Sequence, residues 1–484
     1  MTIKDLNPSL IWNIFDQITK VPRPSKKEGK MHDFLVNFAK EHNIEYKTDA
    51  IGNVAMFRPA TKGYENAPRV ILQGHMDMVC VANDGVTHDF DNDPITTVID
   101  GEWVHADGTT LGADNGIGVA AGLAVMVDKD LVTGPVQALF TVDEETSMTG
   151  ANNLGEGMID GDILLNLDSE EDGEICMGCA GGIGTLATFT FTPTPAPADY
   201  KYIDILFKDF QGGHSGTDID AERACANKLI MRFVWNTMAK RSVKLAYVNT
   251  GDKHNAIAVK AEVIIGVKPE EADATIAELN DFASVIKNEY KHTEKDMKVS
   301  GTIVDAPATI IDDDTARRLV ASVYCGPHGV YHMSKEIEGL VDTSTNLASI
   351  KMQGDKILVD TLQRSSMETR KYEMSEIVEA HFSLAGAEIT HSDPYPGWAP
   401  NMDSPILNIA VDTYQNLFGS KPKTSALHAG LETGLFLINY PNLDMISFGP
   451  TLRGVHSPKE KMHIPAVAKF WTFLTAILAE VAKK

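Results

Sequence analysis

The stretch VILQGHMDMV, Val70 to Val79, decides the fold. Val70 to Leu72 form a short apolar run rich in β-branched residues, the mark of a buried strand, and the chain then breaks into Gly74-His75-Met76-Asp77. Three further runs have the same form: Val136 to Thr141, Ile163 to Leu167 and, far along the chain, Met445 to Phe448. Between the first two lies NGIGVAAGLAVMVD, Asn115 to Asp128, long enough and rich enough in alanine and glycine for a crossover helix. Strand, helix, strand in that order predicts an α/β fold: a mixed, largely parallel sheet flanked by helices.

Outward from this centre, Asn7-Pro8 ahead of SLIWNIFDQITKV predicts a helix with Asn7 as cap and Pro8 in the first turn. A second helix follows in KEGKMHDFLVNFAKEHN. Two proline-rich tracts, TPTPAPAD (Thr192 to Asp199) and HSDPYPGWAPNMDSP (His391 to Pro405), read as hinges around an inserted α+β domain. Within the insert, YIDILFKDF and AVKAEVIIGV have strand character, whereas DAERACANKLIMRFVWNTMA and EEADATIAELNDFASVIKN have helical spacing. SPILNIAVDTYQNLF and IPAVAKFWTFLTAILAEVAKK then give two amphipathic helices around the last buried strand. The expected layout is a catalytic domain in two parts, 1–190 and 396–484, split by an inserted lid domain over 191–395.

Length and composition agree with packed layers: 484 residues, 43% hydrophobic and 23% charged, room for up to about three domains. With 43 basic against 67 acidic residues the net charge is −24, a field that repels phosphate backbones and anionic lipid. Nucleic acid and membrane surfaces are therefore excluded as partners. No apolar run approaches the roughly 18 to 20 residues of a spanning helix, and the N-terminus lacks a basic segment leading into an apolar one, so a cytoplasmic protein is expected. Five cysteines argue against a disulfide framework. Cys176 and Cys179 spell CxxC without a second pair to complete a thiolate site, and read as small residues in a packed turn.

What ends each buried strand carries the chemistry. The first runs into His75 and Asp77, the second into Asp143-Glu144-Glu145, the third into Asp168, and the last into a loop carrying His456. Ligand sites of open α/β sheets lie at the carboxyl ends of the strands, so all four sets meet along one edge. The glycine-rich LGADNGIG adds Asp114 just before the crossover helix. So many carboxylates at one place repel one another unless a cation joins them. Imidazole and carboxylate donors suit zinc, with manganese or cobalt where oxygen predominates. His75, Asp114, Glu145, Asp168 and His456 are five ligands; with Asp114 as a bridge each of two metals receives it plus two others, the two-metal arrangement. Asp77 is placed to hold the second ring nitrogen of His75, and Glu144 is the spare carboxylate suited to general-base work.

The strings GHMDMV, DGTTLGADNGIG, DEETSMTGA, LLNLDSEEDGEI, GGHSG, HAGLETG and GVHSP, spanning Gly74 to Pro458, make the chain resemble the co-catalytic metallopeptidase family that includes glutamate carboxypeptidase, aminoacylases and acetylornithine deacetylase, most closely its aminoacyl-histidine dipeptidase (Xaa-His dipeptidase, carnosinase-like) branch. The resemblance implies His75, Asp114, Glu145, Asp168 and His456 as metal ligands with Asp114 bridging, Asp77 as the aspartate orienting His75, and Glu144 as the general base. It also implies His214 in QGGHSG as a lid histidine near the scissile carbonyl, and Asn255 in HNAIA and Arg364 in LQRSS as lid residues that hold the substrate, Arg364 by its carboxylate. Glu432 in HAGLETG stands where the family has a substrate-side residue near the metals, while His428 is read equally as structural. Ala258 departs from the proline common among relatives. The activity implied is hydrolysis of dipeptides of broad specificity, Xaa-His included, with small peptides as partners and either a monomer or a homodimer. Two rivals stay open: a deacylase or carboxypeptidase on N-acyl amino acids with the same metals, and a catalytically silent metal-binding regulator.

Overall fold

Buried β-branched runs pair with one another because each must satisfy its backbone groups away from water. In the computed structural model, which describes residues 2–484, they build an eight-stranded sheet. Its strands are β1 (Glu45–Thr48), β2 (Val54–Arg58), β3 (Val70–His75), β4 (Val136–Thr141), β5 (Ile163–Asn166), β6 (Glu174–Cys179), β7 (Lys423–Leu427) and β8 (Asp444–Ser447), in the order β1-β2-β4-β3-β5-β8-β6-β7. The four central strands, β4, β3, β5 and β8, run parallel, with His75 opposite Thr141 and Gln73 opposite Asn166. That register brings the carboxyl ends of β3, β4 and β5 level. Antiparallel pairings of β2 with β4 and of β8 with β6 make the sheet mixed.

Helix α1 (Ser9–Ile18) buries Ile11, Trp12, Ile14, Phe15 and Ile18 and packs on α3 (Ala113–Val127); α2 (Gly29–Glu41) lies against β2. The small residues of α3 let it lie close on the sheet: a side chain at Gly122 would stand 3.1 Å from the Phe140 ring of β4. Pro8 occupies the cap position of α1 itself and no side chain caps the helix, so Asn7 does not serve as its cap. Helices α4 (Pro405–Phe418) and α5 (Ile464–Ala482) pack on each other. Contrary to the expectation from sequence, α5 is long and apolar enough to cross a membrane by length and composition alone. Its face of Val467, Phe470, Phe473, Leu474, Ile477, Leu478 and Val481 is spent in the core, which accounts for the apolarity.

The chain divides into two units: the first runs to Gly178 and resumes over Pro400–Ala426 and Leu431–Lys484; the second comprises Cys179–Ala399 with Leu427–Gly430. The chain thus passes into the second unit before the strand Gly181–Thr190, not after it, because that strand pairs along its whole length with Lys356–Ser365. The proline tract is no hinge: Pro193–Pro195 pairs with Thr309–Ile311 in a two-stranded ribbon. Cys176 and Cys179 sit buried in strand β6 and not in a turn. The second unit has its own nine-stranded sheet, centred on the long pair Val341–Gln353 and Lys356–Ser365. Its own core includes Phe189, Phe207, Phe233 and Phe382.

Candidate metal centre

Close backbone packing draws the strand-end loops of the first unit together. The Asn115 side chain donates to Leu167 O at 2.8 Å, tying the Asp114 turn to the segment that carries Asp168. It fits only because Gly74 and Gly118 lack side chains: a Cβ on either would lie 2.2 or 2.3 Å from Asn115 Oδ1. Asp143 and His456 hold left-handed backbone at φ 54° and 61°. Such conformations in non-glycine residues persist where the surroundings enforce them, and here they aim Glu144-Glu145 and the His456 ring.

The result is two imidazole–carboxylate pairs sharing one aspartate. His75 Nε2 lies 3.1 Å from Asp114 Oδ1 and 3.3 Å from Asp168 Oδ1. His456 Nε2 lies 3.1 Å from Asp114 Oδ2 and 2.9 Å from Glu145 Oε2. Each imidazole therefore has Asp114 plus one carboxylate of its own. Donor atoms of His75, Asp114 and Glu145 all fall within 4.8 Å of one another. His75 is sealed in the interior, whereas the His456 side chain is 52% exposed and marks the side open to solvent.

The electrostatics fit a cation. Burial alone would discharge His75, yet Asp168, Asp114 and Asp77 hold its pKa well above the ordinary value. Asp114 and Glu145 push His456 up to about 11. Burial and the adjoining Asp114 hold the Asp168 carboxyl well above its usual range. Glu145 Oε1 is buried without any hydrogen-bond partner. A donor set of two imidazoles and three carboxylates, with two carboxylate oxygens (Glu145 Oε1 and Asp168 Oδ1) lacking a hydrogen bond, suits divalent metal better than protons, which cannot satisfy all five groups at once.

Around this set, Asp77 Oδ1 is 3.3 Å from His75 Nδ1. Burial would raise the Asp77 pKa, but His75, Ser25 Oγ (2.8 Å) and the Glu144 N–H bring it down to about 2, so it stays ionised. The Glu144 carboxyl is driven well up, first by burial and then by Asp168, Glu432 and Glu145. Glu432 lies at the floor, accepting from Gln73 Nε2 at 2.7 Å and Thr141 Oγ1 at 2.8 Å, with Oε1 unpartnered; burial raises it to about 7. A second buried carboxylate group, Glu28, Asp77 and Asp143, is saturated by hydroxyls and backbone N–H groups and reads as scaffolding.

In the second unit, His214 Nδ1 accepts the backbone N–H groups of Gly216 and Thr217, both at 3.2 Å, which leaves the ring proton on Nε2. Burial and then Arg364 lower its pKa to about 4. The Asn255 carbonyl accepts from Ser215 N at 2.8 Å, and Gly213–His214 pairs with Ala256–Ile257, so Asn255 and His214 stand side by side. Arg364 is buried, donates from Nη1 to Tyr395 Oη at 2.5 Å and leaves Nε unpartnered. His428 Nε2 contacts Ser344 Oγ at 2.7 Å; burial and Arg364 depress it to about 3. Tyr395 lies in the tract His391 to Pro405 that the sequence suggests as a hinge, and no local pattern marks it; Gly182 leaves room for it, since a side chain there would strike the Tyr395 ring at 2.4 Å.

A mixed sheet with two imidazole–carboxylate pairs at its strand ends is an arrangement able to hold divalent metal. The model of peptidase family M20/M25/M40 matches residues 71–480, and the chain belongs to that family. It is 39% identical over 485 residues to the cytosol non-specific dipeptidase of Escherichia coli K12, covering 100% of this chain and 99% of that one. The crystal structure of aminoacylhistidine dipeptidase from Vibrio alginolyticus superposes with a TM-score of 0.89 at 41% identity, covering 99% and 98% of the two chains. A tripeptidase from Staphylococcus aureus shares the fold, with a TM-score of 0.56 at 15% identity over 99% of this chain and 100% of that chain.

Proposed function

We propose that this chain is a cytoplasmic dipeptidase of broad specificity, with Xaa-His among its substrates, that holds two divalent ions, zinc first, on His75, Asp168, His456, Glu145 and the shared Asp114. Full-length similarity to two dipeptidases supports the substrate class. The observation that carries the mechanism is the pair of half-sites meeting on Asp114, with Glu144 near enough to His75, Asp168 and Glu145 to feel their charges and a member of neither pair.

Metal bound there supplies Lewis acidity that polarises the scissile carbonyl and acidifies water. Glu144 takes the proton of the attacking water and returns it to the departing amine, the work its raised pKa suits. Asp77 fixes the His75 ring with its free nitrogen aimed into the site. His214, its proton on Nε2, donates to the developing oxyanion and stays neutral because its pKa is about 4. Arg364, oriented by Tyr395, grips the C-terminal carboxylate of the substrate, and Asn255 beside His214 helps hold the peptide. Glu432 is assigned to the substrate side of the centre through its unpartnered Oε1.

Purified protein, stripped with chelator and reloaded with zinc, is tested on Xaa-His and Xaa-Leu dipeptides beside N-acetyl amino acids. Zinc-dependent cleavage of the dipeptides alone is expected. Comparable kcat/KM on the acetylated compounds would replace the dipeptidase with a deacylase, and inertness on both classes would remove the enzyme reading.

A further inference from the structure

Glu460 takes no part in the chemistry above, yet it is 2% exposed and its carboxylate accepts four consecutive backbone N–H groups. Oε2 receives Leu111 at 2.7 Å and Gly112 at 3.0 Å; Oε1 receives Ala113 at 2.7 Å and Asp114 at 3.3 Å. These donors belong to the turn that leads into α3, where Asp114 and Asn115 hold non-helical backbone, so the buried carboxylate satisfies N–H groups that no helix ladder reaches. The turn they form is the one that presents Asp114.

The other end of the link is equally fixed. Leu452–Arg453 and Lys461–His463 pair as an antiparallel hairpin, Arg453 opposite Lys461, so Glu460 stands at the base of the loop whose tip bears His456. That loop is closed by Ser457 Oγ donating to Gly454 O at 2.6 Å and by Glu460 N donating to Ser457 O at 3.0 Å. One side chain therefore couples the segment carrying Asp114 to the segment carrying His456, whose donor atoms lie 3.1 Å apart. On the opposite side the buried Arg23 donates to Met76 O at 3.2 Å and Asp77 O at 2.6 Å, and also to Gly112 O, joining the His75 loop to the same turn. Glycine is required at 112 and 116 for the guanidinium to pass, since a Cβ there would lie 2.5 and 2.7 Å from Arg23 Nη2.

We infer that Glu460 is a positioning residue that sets the spacing of Asp114 against His456 and thereby the affinity of the His456–Glu145–Asp114 half-site for a divalent cation. This rests on the reading of Asp114 as the shared ligand. Glutamine at 460 would keep one acceptor but aim an amide donor at backbone N–H groups; aspartate, a methylene shorter, would keep the charge and lose reach.

The test is zinc titration of the chelator-stripped full chain against a chromophoric competitor, with E460Q, E460D and D114N beside the parent and thermal unfolding of each stripped protein. E460Q is expected to bind one of its two zinc ions roughly 10- to 100-fold more weakly, the range for loss of an outer-sphere support. E460D should fall between E460Q and the parent, and D114N should lose tight zinc binding. Folded E460Q with parental affinity for both ions would overturn the inference, even with lowered thermal stability, because Glu460 would then only stabilise the fold. Should E460Q fail to fold, parental affinity in E460D overturns it instead. Parental affinity in D114N would remove the ligand reading and this inference with it, whereas weakened binding in E460Q with D114N also impaired supports both.

Discussion

Asp77 Oδ1 accepts the backbone N–H of Glu144 at 3.0 Å while lying 3.3 Å from His75 Nδ1. One ionised oxygen thus sets both the ring of His75, a proposed metal ligand, and the start of the segment that carries the proposed base Glu144; Oδ2 extends the hold to Glu145 N at 3.2 Å.

Replacing Asp77 by alanine should loosen both. Zinc affinity or turnover is expected to fall roughly 10- to 100-fold, as when an outer-sphere partner of a ligating histidine is removed. Competition titration and steady-state kinetics check this, and parental values in both would show that the contact is ornamental.

Glu144→Gln separates proton transfer from metal binding. The side chain keeps its size and loses its basicity, so the protein should retain its zinc while kcat drops by about 10²- to 10⁴-fold. Metal content by atomic absorption with stopped-time peptide assays measures the two together. Near-parental turnover would transfer the base role elsewhere.

Tyr395→Phe removes the hydroxyl that accepts from Arg364 Nη1 at 2.5 Å. A hydrogen bond to a charged group is worth about 1.5–3 kcal/mol, so KM for dipeptides should rise roughly tenfold or more while kcat changes little. Equal losses in kcat and kcat/KM would place the effect in the transition state instead.

His428 carries a pH signature. Its pKa lies at about 3 in the fold against an ordinary 6.5, because burial and the facing Arg364 and His214 disfavour the cation. Between those values the unfolded chain binds the proton and the native chain does not, so this residue's stabilising contribution is full above 6.5 and is lost as pH falls toward 3. His428→Gln should therefore flatten the decline of Tm with falling pH, followed by thermal scans from neutral to acid. An unchanged slope would mean that His428 is not held neutral.

Strand ends were legible in the sequence because buried parallel strands read as continuous apolar runs, and polar residues that close such runs have few other reasons to be there. His75, Glu145 and Asp168 stand after such runs, and the structure brings them together with Asp114 and His456. Asp114 needed only its glycine-rich turn. The passage of the chain into the second unit was misplaced because prolines at 193 and 195 suggest a break, whereas an outer strand tolerates them. Strand Gly181–Thr190 looked like a continuation of the first unit because its long-range partner, Lys356–Ser365, lies far along the chain. Tyr395, Arg23 and Glu460 were invisible for a related reason: each acts through backbone or side-chain groups distant in sequence, and no local pattern marks such a partner.

Two cations on one shared aspartate are proposed to drive dipeptide hydrolysis. Stepwise zinc addition to the chelator-stripped chain, with Xaa-His cleavage recorded at each step, tests it most directly. Negligible cleavage is expected before zinc, with activity that levels off at two equivalents per chain and none in Asp114→Asn. Full cleavage in the stripped protein, or an undiminished rate in Asp114→Asn, would contradict it.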